Sequence, residues 1–326
     1  MKKKRFIFFF FLGFFVGEMQ AQFDAQFSLY AENKEAINPG AIAENDLLNL
    51  SGIYRGQWIG SGFKYAPSNL FFSVNTPVSI AGTEHGIGLS GFRNSAGLFV
   101  NMNGLLQYSY KMKLLDGMLG LGLNVGVINQ TFDPDKRANP TGGSGKDDGN
   151  EYHEENDPSL PTGGKDDRPT AFDAGVGCFF SNKKMYVGLS ALHLTAPRMS
   201  YNDLTEGLYV PRIFYLTGGY NISLSNTLYT LKPSTLIKTD FSSFQMELTG
   251  LLEYDKKIQG GLSYRFQDAF IFIVGINLFD GLYAACSYDL PTSKMIISGG
   301  SFEVSLRYSF KPEFAKKNKY KSDRIL

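Results

Sequence analysis

The sequence predicts an all-β protein, a transmembrane antiparallel β-barrel of about fourteen strands in an outer membrane. Three observations lead to this fold class. Apolar and polar residues alternate along most of the chain. Glycine is abundant, with 36 of 326 residues. After the first segment, no stretch is apolar for the roughly 20 residues that a membrane-spanning helix needs.

The first segment, residues 1–21, has the features of a secretory signal peptide. A basic cluster at 2–5 precedes a short apolar run at 6–16, and the segment ends in the small residue Ala21. This order of charge, apolar run and small residue is typical of exported proteins. Because Gln22 and not cysteine follows, we expect cleavage after Ala21 and no lipid anchor.

Three segments, 119–127, 244–250 and 302–310, show the alternation most clearly. In the first, leucine and valine alternate with glycine and asparagine, and successive strand residues point to opposite faces. The apolar faces almost never carry a charge, which would cost about 2 to 4 kcal/mol in the middle of a membrane. Lipid also forbids unpaired sheet edges, so the pattern predicts a closed barrel.

The alternating segments also predict which connections share a side of the membrane. The segments are 47–55, 68–76, 85–93, 98–110, 118–129, 170–180, 184–192, 213–222, 227–238, 243–253, 256–266, 268–278, 282–290 and 302–310. If the first strand runs outward, the longest connections all fall on the external side, as outer-membrane barrels require. Both termini are then expected to be periplasmic.

The expected organisation has four parts. These are the signal peptide at 1–21, a periplasmic or plug segment at 22–46, the barrel at 47–310, and a basic periplasmic tail at 311–326. A long acidic loop at 131–169 has few apolar residues, so we expect a solvated external loop. A calcium site in this loop is the alternative, but the loop lacks EF-hand spacing.

Motifs for catalysis, cofactors or metals are absent from the sequence, which argues against an enzyme. The histidines His85, His153 and His193 lack the spacing of a zinc site, and there is no GxSxG motif. A net charge of +1 gives no reason to expect nucleic acid. For Cys178 and Cys286 we expect two small apolar side chains and no disulfide.

Charged residues on the inner strand faces have two possible roles. Glu247, Glu253, Glu303 and Arg307 are expected to pair across strands and fill the interior; the alternative is that they line a channel. At the end of the last strand, Tyr308 and Phe310 are similar to the aromatic signal that barrel-insertion machinery recognises. A membrane-interface belt would have the same aromatic residues.

A series of short blocks carries a family resemblance. The blocks are Asn38-Pro39-Gly40, Tyr54-Arg55-Gly56-Gln57-Trp58-Ile59-Gly60, Ala66-Pro67, Phe72-Ser73-Val74-Asn75-Thr76-Pro77, Gly86-Ile87-Gly88-Leu89 and Ser298-Gly299-Gly300-Ser301-Phe302-Glu303-Val304. In this order they resemble the PorP/SprF family of type IX secretion system membrane proteins of Bacteroidota. The Tyr-Arg-x-Gln-Trp block is the most specific. The family usually has a glycine soon after Asn-Pro, where this chain has Ala43.

The resemblance implies a non-enzymatic outer-membrane component that helps particular cargo proteins with C-terminal secretion domains to reach the surface. It also implies partners among other type IX secretion components and periplasmic ring or peptidoglycan-associated proteins, with links to adhesin secretion and gliding motility. The alternative is a FadL-like transporter of hydrophobic solutes, in which residues 22–46 would form the plug.

The candidate partner-binding residues lie around the only tryptophan. They are Tyr54, Arg55, Gln57, Trp58, Ile59 and Phe63, because exposed aromatic side chains often anchor protein interfaces. The alternative places Trp58 in the membrane belt and Arg55 in an interior ion pair. Asn38 and Pro39 are expected to form a turn in the plug segment.

Overall fold

A closed antiparallel barrel of 14 strands forms the body of the protein. The computed structural model describes residues 25–60, 65–132, 168–201, 208–225, 228–293 and 298–311. Each barrel strand pairs with its neighbour in sequence, and the pairing of the first strand with the last closes the ring. The predicted fold class is confirmed.

The strands follow the alternating segments closely. The barrel strands are β1 (Leu48–Gly56), β2 (Ser68–Ile80), β3 (Thr83–Ala96), β4 (Phe99–Leu114), β5 (Gly117–Phe132), β6 (Thr170–Ser181), β7 (Met185–Leu192), β10 (Ile213–Tyr220), β12 (Tyr229–Thr239), β13 (Phe244–Tyr254), β14 (Ile258–Arg265), β15 (Ala269–Phe279), β16 (Leu282–Pro291) and β17 (Ser301–Phe310). Three two-residue strands lie in the connections: β8 (Arg198–Met199), β9 (Leu208–Tyr209) and β11 (Ile222–Ser223).

The two faces of each strand meet different surroundings. On β17, Val304 and Leu306 point outward and are 42% and 52% exposed, whereas Glu303 and Ser305 point inward and are fully buried. The apolar outer face meets lipid and the inner face meets the lumen, as the alternation predicted.

The connections differ between the two ends of the barrel. The four longest, at 57–67, 133–169, 193–212 and 292–300, share one end, which we call the long-loop end. The other end, the short-turn end, has tight hairpins such as Ala81-Gly82, where both residues have positive φ, as a two-residue hairpin turn requires. These tight turns let β3, β4 and β5 pair beyond their predicted limits.

The described chain ahead of β1, which begins at Ala25, lies inside the barrel. We call residues 25–46 the plug; they include the short 3₁₀ turns η1 (Lys34–Ala36) and η2 (Pro39–Ala41). Phe27 packs against the rings of Phe71 and Phe92, with ring centroids 6.3 and 6.0 Å away. Leu29 is buried against inward side chains of β13, β15 and β16. The lumen is therefore filled by the protein's own chain.

A closed barrel has no edge strand from which unfolding can begin, which predicts a standard property of such proteins. The folded protein should migrate faster on a denaturing gel when the sample is not heated than after boiling. The measurement compares the two lanes, and circular dichroism of the same sample reports its secondary structure. Identical migration together with a helical spectrum would contradict the barrel.

Several expectations concern residues that the structure does not describe. The signal peptide, most of the acidic loop (133–167) and the tail at 312–326 lie outside the described residues. Within the described residues, no helix has the length and apolarity to cross a membrane. Both cysteines are free.

Candidate functional site

The most densely charged part of the lumen lies where the plug meets the wall near the long-loop end. We call it the charged cluster; its members are Ser28 of the plug, Arg55 of β1, Glu247 of β13, Arg265 of β14, Asp289 of β16 and Glu303 of β17. All five charged residues are at most 3% exposed. Isolated charges at such depth cost several kcal/mol each, so each must have a partner.

Arg55 binds two carboxylates of the charged cluster, those of Asp289 and Glu303. Its Nη2 lies 2.7 Å from Asp289 Oδ2, and its Nη1 lies 3.3 Å from Glu303 Oε2. The same Nη1 donates to Ser28 Oγ at 2.9 Å. One wall arginine therefore binds the plug and both carboxylates.

Arg265 is the second cation of the charged cluster. Its Nε lies 2.9 Å from Glu247 Oε2, and its Nη1 lies 3.0 Å from Asp289 Oδ2. Its Nη2 donates to Ser28 Oγ at 2.8 Å. The two guanidinium groups thus converge on one plug hydroxyl and share Asp289.

The plug backbone supplies the remaining donors. The N–H groups of Ser28 and Leu29 donate to the two oxygens of Glu303, at 2.8 and 2.9 Å. Ser28 Oγ donates to Asp289 at 2.8 Å. Charge-assisted bonds of this kind stabilise carboxylates. The plug therefore supplies hydrogen-bond donors to the carboxylates of the wall.

The interior charges singled out from the sequence pair across strands or with the plug, which was the preferred expectation. Glu247 and Glu303 belong to the charged cluster, and Arg307 pairs with Glu32 of the plug at 3.2 Å. Glu253 pairs with Lys232. Sequence reasoning missed Arg265 and Asp289, although both occupy inward positions in the alternation of β14 and β16.

A second contact region lies near the short-turn end, where η2 rests on glycines. We call it the glycine patch: Gly120 and Gly122 of β5, Gly177 of β6 and Gly188 of β7. A Cβ at Gly122 would lie 2.2 Å from Gly40 N, and one at Gly177 would lie 2.1 Å from Asn38 Oδ1. Only a wall without side chains lets the plug backbone approach this closely.

Asn38 fixes the turn on the glycine patch. Its Oδ1 accepts the N–H of Gly40 at 2.8 Å, and its Nδ2 donates to the carbonyl of Cys178 at 2.9 Å. Pro39 begins the 3₁₀ turn, a position that needs no N–H donor. Lys111 Nζ donates to the Gly40 carbonyl at 2.9 Å. The Asn-Pro-Gly block therefore anchors the inner half of the plug.

Lys34 and Glu44 link the two halves of the plug across 2.9 Å. Burial disfavours the charge on Lys34, but Glu44 and Tyr186 raise the pKa of Lys34 above its ordinary value. The Lys34 ammonium, 2.9 Å away, holds the pKa of Glu44 below its ordinary value. The pair therefore stabilises the plug at neutral pH, and its contribution is lost as the pH falls through the lowered pKa of Glu44.

Comparison with protein families decides between the possible kinds of barrel. The family model described as "Type IX secretion system membrane protein PorP/SprF" matches residues 19–308. The chain belongs to the PorP/SprF family. It is thus a type IX secretion system membrane protein, and its own strands form a closed antiparallel barrel.

Two PorP/SprF sequence blocks meet at the seam between β1 and β17. Arg55 is opposite Glu303, and Gly56 is opposite Phe302. Beyond the strands the chains stay paired: Ile59 N–H donates to the Gly300 carbonyl at 2.8 Å, and Gly299 N–H donates to the Ile59 carbonyl at 2.7 Å. We call residues 57–60 and 298–300 the seam rim.

The structure separates the predicted partner-binding residues. Tyr54 lies on the lipid face, 45% exposed, whereas Arg55 faces the lumen, the alternative ion-pair role raised from the sequence. Gln57 and Trp58 are half-buried at the seam rim, and Trp58 has a φ of 54°. Ile59 is 42% exposed. Phe63 lies outside the described residues.

Two more features noted in the sequence can be compared with the structure: the aromatic residues at the end of the last strand, and the alanine at the position where the family usually has glycine. Tyr308 and Phe310 both face lipid, with ring centroids 5.4 Å apart. Ala43 has a φ of 50°, in the left-handed region that favours glycine. The residue that departs from the PorP/SprF pattern therefore occupies a backbone conformation that suits the family's glycine.

The described histidines, His85 and His193, lie within hydrogen-bond distance of other side chains of the protein. His193 Nδ1 lies 2.6 Å from Asp173 Oδ2, and both side chains are buried. His85 lies between Thr83 and Tyr108, at 2.6 and 2.7 Å. His153 lies outside the described residues, among which no group of three His, Cys, Asp or Glu is placed to hold a metal ion.

Solved structures similar to this PorP/SprF chain are other outer-membrane barrels. The CymD monoaromatic hydrocarbon channel shares 10% identity, with 84% of this chain and 92% of that chain covered and a TM-score of 0.48. A Pseudomonas aeruginosa FadL homologue shares 13%, with 84% and 92% covered and a TM-score of 0.45. The Acinetobacter baumannii outer membrane protein Omp33 shares 6%, with 81% and 98% covered and a TM-score of 0.43. No curated protein sequence matches the chain.

Proposed function

We propose that the protein is a non-enzymatic component of the type IX secretion system that assists the secretion and surface display of particular cargo proteins, such as adhesins and motility proteins. The family match over residues 19–308 carries this proposal. Its partners would be other secretion components, cargo with C-terminal secretion domains, and periplasmic ring or peptidoglycan-associated proteins.

The filled lumen supports a role at the barrel's surface and not as a conduit for cargo. The charged cluster and the glycine patch hold the plug at opposite ends of the lumen. A cargo polypeptide would have to displace both contacts to pass. We propose that residues 22–46 form the segment that contains the plug, that residues 47–310 form the barrel, and that the long-loop end faces the outside. The tail at 311–326 then faces the periplasm.

The alternative, a transporter of hydrophobic solutes, has less support. Each barrel strand is hydrogen-bonded to both of its neighbours, so the described wall has no lateral gap of the kind that would release an apolar solute into lipid. Polar side chains also cover much of the inner wall, including Asn75, Gln107, Asn124 and Gln130. Impaired fatty-acid uptake in a null strain with normal surface proteins would nevertheless establish transport.

Removing the gene should trap one or a few surface proteins inside the cell while general type IX export continues. The reason is that a component serving particular cargo leaves the common translocation machinery intact. Proteomics of shaved cell surfaces, culture medium and periplasm would measure the redistribution. Unchanged surface proteins, or a collapse of all type IX export, would contradict the proposal.

At residue level, Trp58→Ala combined with Ile59→Ala should reduce cargo release without changing barrel abundance. Interface anchors contribute about 2 kcal/mol or more each, so losing two should be visible. A matched control is Leu115→Ala, an apolar side chain 90% exposed at the short-turn end. Phe63→Ala can be added to the double variant. Normal secretion by the combined variant would contradict partner binding and favour the alternative, in which Trp58 belongs to the membrane belt.

A further inference from the structure

The direction in which the plug runs through the barrel follows from its contacts, taken in chain order. Phe27 packs on Phe71, close to the long-loop start of β2, and Ser28 binds Asp289 and Glu303, close to the long-loop ends of β16 and β17. These positions are the earliest in the described plug.

Later plug residues contact progressively lower parts of the wall. Asn33 Nδ2 donates to Ser305 near the middle of β17, at 3.0 Å. The Gly40 carbonyl accepts from Lys111, close to the short-turn end of β4. The N–H of Ala43 donates to Asn75 Oδ1 at 3.0 Å, in the short-turn half of β2. The chain therefore passes down the lumen from the long-loop mouth to the short-turn mouth and then enters β1.

The start of the described plug lies at the long-loop mouth. Ala25 lines a cavity of about 20 Å³ with Asn94, Asn101 and Met102. Asn94 and Asn101 are paired across β3 and β4 beside their two-residue connection at that mouth. The cavity has room for about one water molecule.

Among the described residues, the lumen leaves no second path along which a chain could run from Ala25 back to the short-turn mouth. A second chain there would have to pass the charged cluster and the glycine patch, where the existing plug already lies within hydrogen-bonding distance of the wall. A cavity of about 10 Å³ beside Phe27, Tyr215 and Lys238 is also too small for a peptide chain.

We propose that the plug is threaded with its first described residues, Ala25 and Gln26, at the long-loop mouth, so that this end of the plug is accessible from the cell surface beside the long loops. The C-terminal end of β17 lies at the opposite mouth. This differs from the expectation that both termini share the periplasm. The threading rests on the contacts alone; which mouth faces the outside rests on the proposed function.

Cysteine labelling separates these two statements. The background is Cys178→Ala with Cys286→Ala, which removes the two native thiols. Single cysteines are then placed at Gln26, at Ser242 in a long-loop connection, and at Lys183 in a short turn. Intact and permeabilised cells are treated with a membrane-impermeant maleimide, and boiled protein defines complete labelling.

Gln26→Cys is expected to be labelled in the same sample as Ser242→Cys, on intact cells, and Lys183→Cys only after permeabilisation. If Gln26→Cys follows Lys183→Cys, the threading is overturned. If Gln26→Cys and Ser242→Cys are both labelled only after permeabilisation, the threading holds and the proposed orientation is wrong.

A second readout covers the case in which Gln26→Cys is too enclosed to react in either sample. An epitope inserted between Asp24 and Ala25 is detected with antibody on intact and permeabilised cells, and gel migration confirms a folded barrel. Detection together with Ser242→Cys supports the proposal. Detection together with Lys183→Cys overturns it.

Discussion

Arg265→Met should destabilise the folded barrel by about 3 to 5 kcal/mol, the usual cost of removing one partner from a buried ion pair. Arg265 is fully buried and binds Glu247, Asp289 and the hydroxyl of Ser28. Without it, Asp289 keeps Arg55, whereas Glu247 keeps, among the described residues, only the hydroxyl of Ser263 as a donor. The measurement is the temperature at which the fast-migrating folded band disappears on gels.

Two companion variants identify the cause. Lys232→Met breaks an ion pair whose lysine side chain is 31% exposed, so we expect a loss of about 1 kcal/mol or less. Adding Glu247→Gln to Arg265→Met removes the uncompensated carboxylate and should restore part of the lost stability. A loss in Arg265→Met no larger than that of Lys232→Met would show that the charged cluster is not tightly coupled to barrel stability.

Gly122→Val should expel the Asn38–Gly40 turn from the wall. The new Cβ would lie 2.2 Å from Gly40 N and from the Pro39 carbonyl carbon, both backbone atoms that cannot rotate away. Overpacking of this kind costs about 1 to 3 kcal/mol even where side chains can adjust. Because valine is favoured in strands, the barrel itself should still form.

The readout for Gly122→Val is ion conductance in a planar lipid bilayer. Wild type should be closed, since the plug fills the lumen, whereas the variant should open a wet path along the polar inner wall. Gly104→Val is the matched control, because open space surrounds a Cβ at Gly104. A folded Gly122→Val protein that stays as closed as Gly104→Val would show that the turn is dispensable for sealing.

The strands could be predicted because the membrane imposes one rule on every residue. Outward positions such as Leu121 and Leu123 meet lipid, whereas the inward Asn124 is buried, and the chain repeats this pattern in each strand. The rule depends on the period alone, so the sequence carries it without knowledge of pairing partners. The strand ends depend on local turn geometry, as at Ala81-Gly82, and were less accurately predicted.

The contacts inside the lumen could not be predicted in the same way. Ser28 meets Asp289 and Glu303 across more than 260 residues of sequence, and no periodic pattern records such a partnership. The inward charges Glu247 and Glu303 could be recognised as interior, but the arginine that each one binds could not. Glu247 lies opposite Arg265 on the adjacent strand, and Glu303 lies opposite Arg55, so these pairs depend on the register between strands, which alternation alone does not set.

Two patterns in the sequence mark the parts of the inner wall that contact the plug. β15 is apolar on both faces: Ile271 and Ile273 are buried while Phe272 is half-exposed to lipid, and the buried pair packs against Leu29 of the plug. The alternating glycines of β5 mark the other docking region. A strand with an apolar or glycine-rich inner face thus indicates a wall that accepts a chain instead of water.

The position of the charged cluster links the closure of the barrel to the docking of the plug. Arg55 and Glu303 stand opposite each other on β1 and β17, the first and last strands, whose pairing closes the ring. Ser28 binds both of them, so the plug is held by the same residues that join the two ends of the sheet. Closure of the ring and docking of the plug are therefore energetically coupled, because each depends on the same pair of residues, Arg55 and Glu303.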